Sequence, residues 1–518
     1  RHGSILLMVL VAIILMALTT SSYLLLMRNE HRAARYSGNH LQAEMLSQSG
    51  VDYLRLLLAQ TTAEIEQQGG VLNNPDLLQD LLVIDDESDS SRGRFTVVAP
   101  EMIGGHYQNL RYGLENESAK LNLNTLLVEE DSSFSMSETI TPQERLLLIP
   151  GMNEEVVDAI LDWLDEDDSP RAYGVEASYY QNLTPPYRPN NGPLAHLDEL
   201  LMIQGVTPEL LYGVDANRNY VVDADEQPRG ALEQLDNSNG QLNRGWSAYL
   251  TVHSLEKNVT PEGDLKIDVN AEDLETLHRD LEKVLGAAEA NFIIAFRQYG
   301  PASGSASGEA TSAEGALPDF TKEAKTPIES LLDLIDATVS IEAKEKEPAK
   351  NITSPWKDNA SSYQRGFSDL LDVATVDQAE RTAGRININQ ASRPVLLTIP
   401  EMTEKLADQI LDRRDRAVDL AVGEQRHPVW LVAEGLMTRE EFKPMLPWVT
   451  TGGDVYSGQI VGFFDAGTAQ DRIEVILDRS GTQEDMGSPA RLLSWHNLSS
   501  LGPGFSLSVL SALVDPDR

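Results

Sequence analysis

Two stretches of this sequence place oxygen ligands at spacings that suit a hard cation. Asp215-Ala-Asn217-Arg-Asn219-Tyr220-Val221-Val-Asp223-Ala-Asp225-Glu226 puts side-chain oxygens at loop positions 1, 3, 5 and 9. Val221 adds a backbone carbonyl and Glu226 ends the loop with a carboxylate. Ca²⁺ takes six to eight hard oxygens, and this spacing wraps them about one point. Tyr220 stands where Gly normally permits the sharp turn, and Pro228 and Gly230 interrupt any following helix. The competing reading is an acidic turn capped by its own Asx side chains. The second stretch is Asp162, Asp165, Asp167, Asp168 and Glu176. Asp162 and Asp165 are spaced i, i+3 and share a helix face. Acids bunched at a helix C-terminus oppose the helix dipole, which argues for a cation there, with a structural role in pinning a long loop. The competing reading is a solvated acidic helix end.

Other chemistries are poorly supported. The chain of 518 residues has 41 Lys+Arg against 81 Asp+Glu, a formal charge of −40, and no Cys. That balance opposes nucleic-acid binding through phosphate contacts and docking on anionic lipid. Without Cys there are no disulfides, thiolate metal sites or thiol nucleophiles. No HExxH, GxSxG, Walker or dinucleotide motif occurs, and the nine His are scattered, so no enzyme activity is expected.

The elements that must position these residues begin with an uncharged run, Ser4 to Met27. Its 24 residues reach about 36 Å as a helix, enough to cross a membrane. Apolar residues spaced by threes and fours continue from Leu41 to Leu58, until Gly69 and Gly70, and predict one helix of about 65 residues. Its first half is membrane-spanning and its second half packs one stripe on a soluble body. Strand-like runs follow at Arg94–Val98 and Leu110–Leu114. Lys120-Leu-Asn-Leu-Asn124, Lys266-Ile-Asp-Val-Asn270 and Arg385-Ile-Asn-Ile-Asn389 each precede a helical stretch, which suggests internal duplication, with Asn124 capping the next helix. LLLIPGMNEEVVDAILDWLD (146–165) parallels LLTIPEMTEKLADQILDRRD (396–415), and 196–211 is echoed by 430–442. These pairs resemble SAM-like or helix-hairpin-helix modules. Glu154, Glu155 and Glu401 at the turns favour packing or protein contact over DNA phosphate.

The fold class expected is α+β: a long pilin-type helix on an antiparallel sheet, helical SAM-like insertions, and an additional C-terminal α+β region. The boundaries are 1–3 leader remnant, 4–27 transmembrane helix, 28–68 periplasmic half of the helix, 69–125 first part of the sheet, and 126–243 helical insertion with the calcium loops. Next come 244–300 return strands and helix, 301–325 flexible linker, 326–380 helical or irregular, 381–455 second hairpin module, and 456–518 C-terminal strands. Lys325–Ile341 reads as one helix, EAKEKEPAK (342–350) as a solvated charge run, and Tyr456–Phe464 and Arg472–Leu477 as strands of a first or a second sheet.

The N-terminus, with Arg1-His2-Gly3 before the apolar run and QAEMLSQSGVDYL within the helix, resembles a type IV pilin-like protein. The resemblance implies a longer leader, cut after Gly3 by prepilin peptidase to leave Ser4 first. Most pilins carry Glu at the fifth mature residue; here it is Met8. A subunit without that carboxylate fits the filament end, because it cannot pair with the amine of a subunit above. KLNLN, DWLDEDD (162–168), Gly174-Val175-Glu176, Tyr179-Tyr180 and PPYRPNNGPLAHLDEL (185–200) are similar to the secretion protein K family, over about residues 3–300. That implies a tip minor pseudopilin of type II secretion with structural Ca²⁺. Implied partners are minor pseudopilins resembling the I and J components and the major pseudopilin. Implied placement is the inner membrane, single-pass, N-terminus cytoplasmic and bulk periplasmic. The alternatives are a membrane-tethered helix-hairpin-helix DNA receptor and a calcium-dependent envelope scaffold.

Overall fold

The computed structural model describes the chain apart from residues 1, 128–139, 303–309, 316–317, 342–349, 417–424, 482–486, 503 and 512–518. Most of the charge run 342–350 and residues 303–309 and 316–317 of the 301–325 linker therefore lie outside the described residues.

Helix α1 (His2–Leu57) is 56 residues long, about 84 Å at 1.5 Å per residue. From Ile5 it is exposed and apolar, with a mean hydropathy of 2.5 over its best window, and is long and apolar enough to cross a membrane. Further on, Ala43, Leu46, Ser47, Val51, Leu54 and Leu57 are buried at helical spacing and face the sheet. The expected continuation to residue 68 fails at Leu57. Thr61 opens a separate helix, Thr62–Gln67, with a capping box: Glu64 N–H donates to Thr61 Oγ1 at 3.2 Å, and Thr61 N–H to Glu64 Oε2 at 2.8 Å.

The sheet has seven strands: β1 (Leu81–Ile84), β2 (Gly93–Ile103), β3 (His106–Arg111), β4 (Glu115–Asn116), β5 (Val455–Phe464), β6 (Gln470–Asp478) and β7 (Arg491–Asn497). Its order is β1-β2-β5-β6-β7, all antiparallel, with β3 also on β2 and β4 on β5. The C-terminal strands thus complete the first sheet, with Val98 opposite Gln459 and Val97 opposite Ile460. They are not an additional α+β region, and β7 is a further strand beyond the two expected. Residues 117–454 are one insertion between β4 and β5. Helix and sheet touch where two glycines allow it. A Cβ on Gly50 would lie 2.5 Å from Ile460, and one on Gly462 would lie 2.4 Å from the Ala43 carbonyl.

The insertion repeats three times. Leu121–Asn122 pairs with Leu250–Thr251, Ile267–Asp268 with Ala374–Thr375, and Ile386–Asn387 with Val449–Thr450, each a two-residue parallel clip. In each unit the first clip's Asn or Asp side chain accepts an N–H two residues on, from Asn124 (3.0 Å), Asn270 (2.7 Å) and Asn389 (3.0 Å). Those three asparagines do not cap a following helix as expected of Asn124. Their amides tie down distant chain: Asn124 at Leu194 (2.9 Å), Asn270 at Ile328 (2.9 Å), and Asn389 at Gln425 (2.9 Å). The closing Thr251, Thr375 and Thr450 hydroxyls accept the N–H two residues later at 3.1, 3.0 and 3.0 Å. The strands of 250–268 therefore serve the clips and the Arg381–Ala383 strand, and do not return to the sheet.

The hairpin parallel holds in detail. Gly151 and Glu401 occupy the same turn with φ of +78° and +64°, and Gly205 and Gly435 the next with +80° and +70°. Thr207 and Thr438 then cap equivalent helices. Lys325–Ile341 is not one helix. Leu331–Leu334 is a single 3₁₀ turn, and Thr338–Ile341, with β-branched Thr338, Val339 and Ile341, forms a strand on Lys350–Thr353. Ala310–Ser312, inside the expected linker, pairs with that strand in parallel.

Candidate metal centre

Helix α2 (Glu154–Leu164) starts at Asn153, whose side chain accepts the Val156 N–H at 3.0 Å. Asp158 and Asp162 lie a turn apart on one buried face, and Asp165 is the C-cap. The chain folds back over that end. Arg171 N–H donates to both Asp162 oxygens at 3.2 Å, and Tyr173 N–H to Asp158 Oδ2 at 3.0 Å. Arg171 Nη1 reaches Asp162 Oδ1 at 2.8 Å and also bonds Asp165 Oδ2. Gly174 is required here: a Cβ would lie 1.9 Å from Asp162 Oδ2. The fold-back delivers Glu176, so that Asp162, Asp165 and Glu176 each offer an oxygen within 4.8 Å of the others.

The donor set fits a hard divalent cation. Glu176 is 4% exposed, and neither of its oxygens has a partner. Asp165 Oδ1 is likewise buried without one. Three carboxylates face one guanidinium, and burial followed by repulsion from Asp162 and Asp165 pushes the Glu176 carboxyl up to about 7. Burial also raises Asp162. Oxygen donors without hydrogen-bond partners, held together against their own repulsion, are what a Ca²⁺ site needs. In such a site Asp162, Asp165 and Glu176 would hold the ion, which would supply the missing positive charge. Asp167 and Asp168 stay apart from the trio. Asp167 Oδ1 accepts the Ser169 N–H at 2.6 Å, and Asp168 Oδ1 lies 3.4 Å from Asn191 Nδ2. Sequence reasoning missed Asp158 and Arg171. The signal for Asp158 was its i, i+4 spacing to Asp162; Arg171 had none, because its role depends on the fold-back.

The 215–226 loop is built differently. Asp215, buried, accepts the N–H of Asn219 at 3.0 Å and of Tyr220 at 2.7 Å. Asn217 and Asn219 both send their amides to Asp223 Oδ2, at 2.8 and 3.1 Å. Glu226 accepts the N–H of Asn217 at 3.1 Å and of Asp223 at 3.0 Å. The Val221 N–H donates to Asn219 Oδ1 at 2.8 Å. Tyr220 takes the left-handed conformation that Gly would, at φ +65°, and its ring packs beside the Val98–Val461–Phe463 cluster in compensation. Asn217 Oδ1 is buried and unpartnered, and burial pushes Asp215 up to about 6. The oxygens of this loop are thus gathered but largely engaged with each other.

Among the described residues of the second hairpin, two arginines are engaged by carboxylates. Arg393 pairs with Asp408 at 2.7 Å, and Arg413 with Glu434 at 3.5 Å.

Residues 119–215 match the model of type II secretion system protein K, first domain. A provisionally named type II secretion system protein K of Escherichia coli (strain K12) is 33% identical over 106 residues, which cover 20% of this chain and 32% of that protein. Type II secretion system protein K of Aeromonas hydrophila is 42% identical over 57 residues, covering 11% and 17%. These matches therefore span a third or less of each relative's own length. Among solved structures, a chain of the GspK-GspI-GspJ complex from the enterotoxigenic Escherichia coli type 2 secretion system overlaps with a TM-score of 0.38 and 10% identity, covering 91% of this chain and 98% of that one. The 119–215 segment, which is similar to that family's first domain, contains α2, the fold-back and the carboxylate trio.

Proposed function

We propose that this chain is a minor pseudopilin at the tip of the type II secretion pseudopilus, a structural subunit that supports protein export and is stabilised by calcium. The observation that supports the reading most is the division of α1. Its first half is exposed and apolar, and its second half lies on a sheet whose β4 and β5 bracket the family's own segment. A helix so divided suits a subunit held in the inner membrane until it joins a filament, with its bulk in the periplasm. Met8 removes the buried carboxylate that would pair with a subunit above. The partners proposed are two other minor pseudopilins, the major pseudopilin below, and prepilin peptidase for processing between Gly3 and Ser4. Calcium is assigned to the Asp162–Asp165–Glu176 trio and to the 215–226 loop.

The test is to express the full precursor with and without prepilin peptidase and to determine the mature N-terminus by mass spectrometry. A methylated Ser4 is expected. An uncut precursor, beside a control pilin that is cut, contradicts the proposal.

A further inference from the structure

The 215–226 loop is gripped from outside by the sheet. Arg472, in mid-β6, is fully buried. Its Nη2 donates to the Asn217 carbonyl at 2.7 Å, and its Nη1 to the Arg218 carbonyl at 3.2 Å. Gln459 of β5, also fully buried, donates to the same Arg218 carbonyl at 2.8 Å. Asn219 Nδ2 donates outward to the Gly504 carbonyl at 3.0 Å. Gly504, at φ +76°, lets the chain close on the guanidinium, since a Cβ there would lie 2.4 Å from Arg472 Nη1.

A buried guanidinium is costly unless its charge is answered. Arg472 forms no ion pair among the described residues, and its Nε is buried without a partner. Burial disfavours its charged form, and Asp215 and Glu474 are the carboxylates that favour it. The loop carries four carboxylates, Asp215, Asp223, Asp225 and Glu226, of which Asp215 and Glu226 are buried. The carbonyls that Arg472 holds belong to residues 217 and 218, whereas the expected ligand carbonyl is that of Val221. Arg472 therefore holds the loop through carbonyls other than the expected ligand.

We propose that Arg472 is the positioning residue of the 215–226 loop, so that cation binding in the loop and closure of the β5–β7 strands onto the insertion are one linked event. The proposal rests on the calcium reading of that loop. By linkage, whatever factor sheet closure adds to cation affinity, the cation returns to sheet closure.

The test uses the full chain in detergent, titrated with calcium chloride or kept in chelator. Amide exchange is followed in 470–478 and 491–497, beside calorimetric calcium stoichiometry. Calcium is expected to slow exchange in these strands at least tenfold, and the effect to vanish in the D215N/E226Q double variant. R472K, which keeps the charge and loses the fork, is expected to bind calcium at the loop at least tenfold more weakly. Q459E is the second variant should R472K not fold, and the wild-type comparison needs neither. If D215N/E226Q loses one calcium while wild-type strands exchange equally with and without calcium, the linkage is overturned and the loop site stands. If D215N/E226Q binds as much calcium as wild type, the loop reading fails and takes this proposal with it.

Discussion

Around Asp162 the carboxylate oxygens outnumber their donors, whereas around Asp215 nearly every oxygen already has one. The first site leaves Glu176 wholly unpartnered and relies on Arg171 for charge. The second satisfies Asp215 and Glu226 with its own backbone N–H groups and is held by Arg472 from another part of the fold. A site of the first kind depends on the cation for its local shape. One of the second kind keeps its shape through hydrogen bonds and depends on distant strands. The difference also follows the chain: the trio is assembled from sequence neighbours within one helix and its fold-back, while the loop needs β5 and β6.

Removing calcium should expose that contrast most strongly. Each site held at about 100 times its Kd contributes about 2.7 kcal/mol. Chelation should therefore lower the thermal midpoint of the full chain in detergent, and limited proteolysis should cut first between 166 and 176. Cleavage beginning at 215–226 would reverse the ranking of the two sites. Gly174→Ala should be next, costing about 2 kcal/mol by forcing a methyl group against Asp162, and should weaken calcium binding at the trio alone. Denaturant unfolding with calorimetry reads both effects, and an unchanged affinity would remove the close approach from the account.

The pH dependence comes third. Without a cation the folded state holds the Glu176 proton up to about 7, against 4.5 ordinarily. The stability this provides is full below 4.5 and is lost as pH rises through about 7. Calcium needs the carboxylate deprotonated, so affinity at the trio should instead fall as pH drops below about 7. E176Q should flatten both trends in unfolding and binding curves taken from pH 4.5 to 8. The smallest effects belong to Asp167→Asn and Asp168→Asn, which should stay within about 0.5 kcal/mol of wild type and bind calcium equally.

Much of this was legible in the sequence because it is local. The divided helix shows as an uncharged run followed by a helical stripe, and the three Asn-bearing clips show as similar five-residue words. What those asparagines do was not legible: Asn124 and Leu194 are brought together by the fold, and a capping role follows from local sequence alone. The completion of the sheet is similarly non-local, since the β2–β5 pairing crosses the whole insertion. At the sites, Asp162, Asp165 and Glu176 were readable from chemistry and spacing. Asp167 and Asp168 read as equals, because sequence does not reveal that the chain turns away after Asp165. Arg171 and Arg472 carried no signal, since each acts through a partner set by the fold.

The most direct test of the calcium account is calorimetric titration of the full chain in detergent with calcium chloride, comparing wild type with E176Q. Two binding events are predicted for wild type, with E176Q losing one and retaining the other. An E176Q protein that is folded and binds the same number of ions as wild type would contradict the account at its centre.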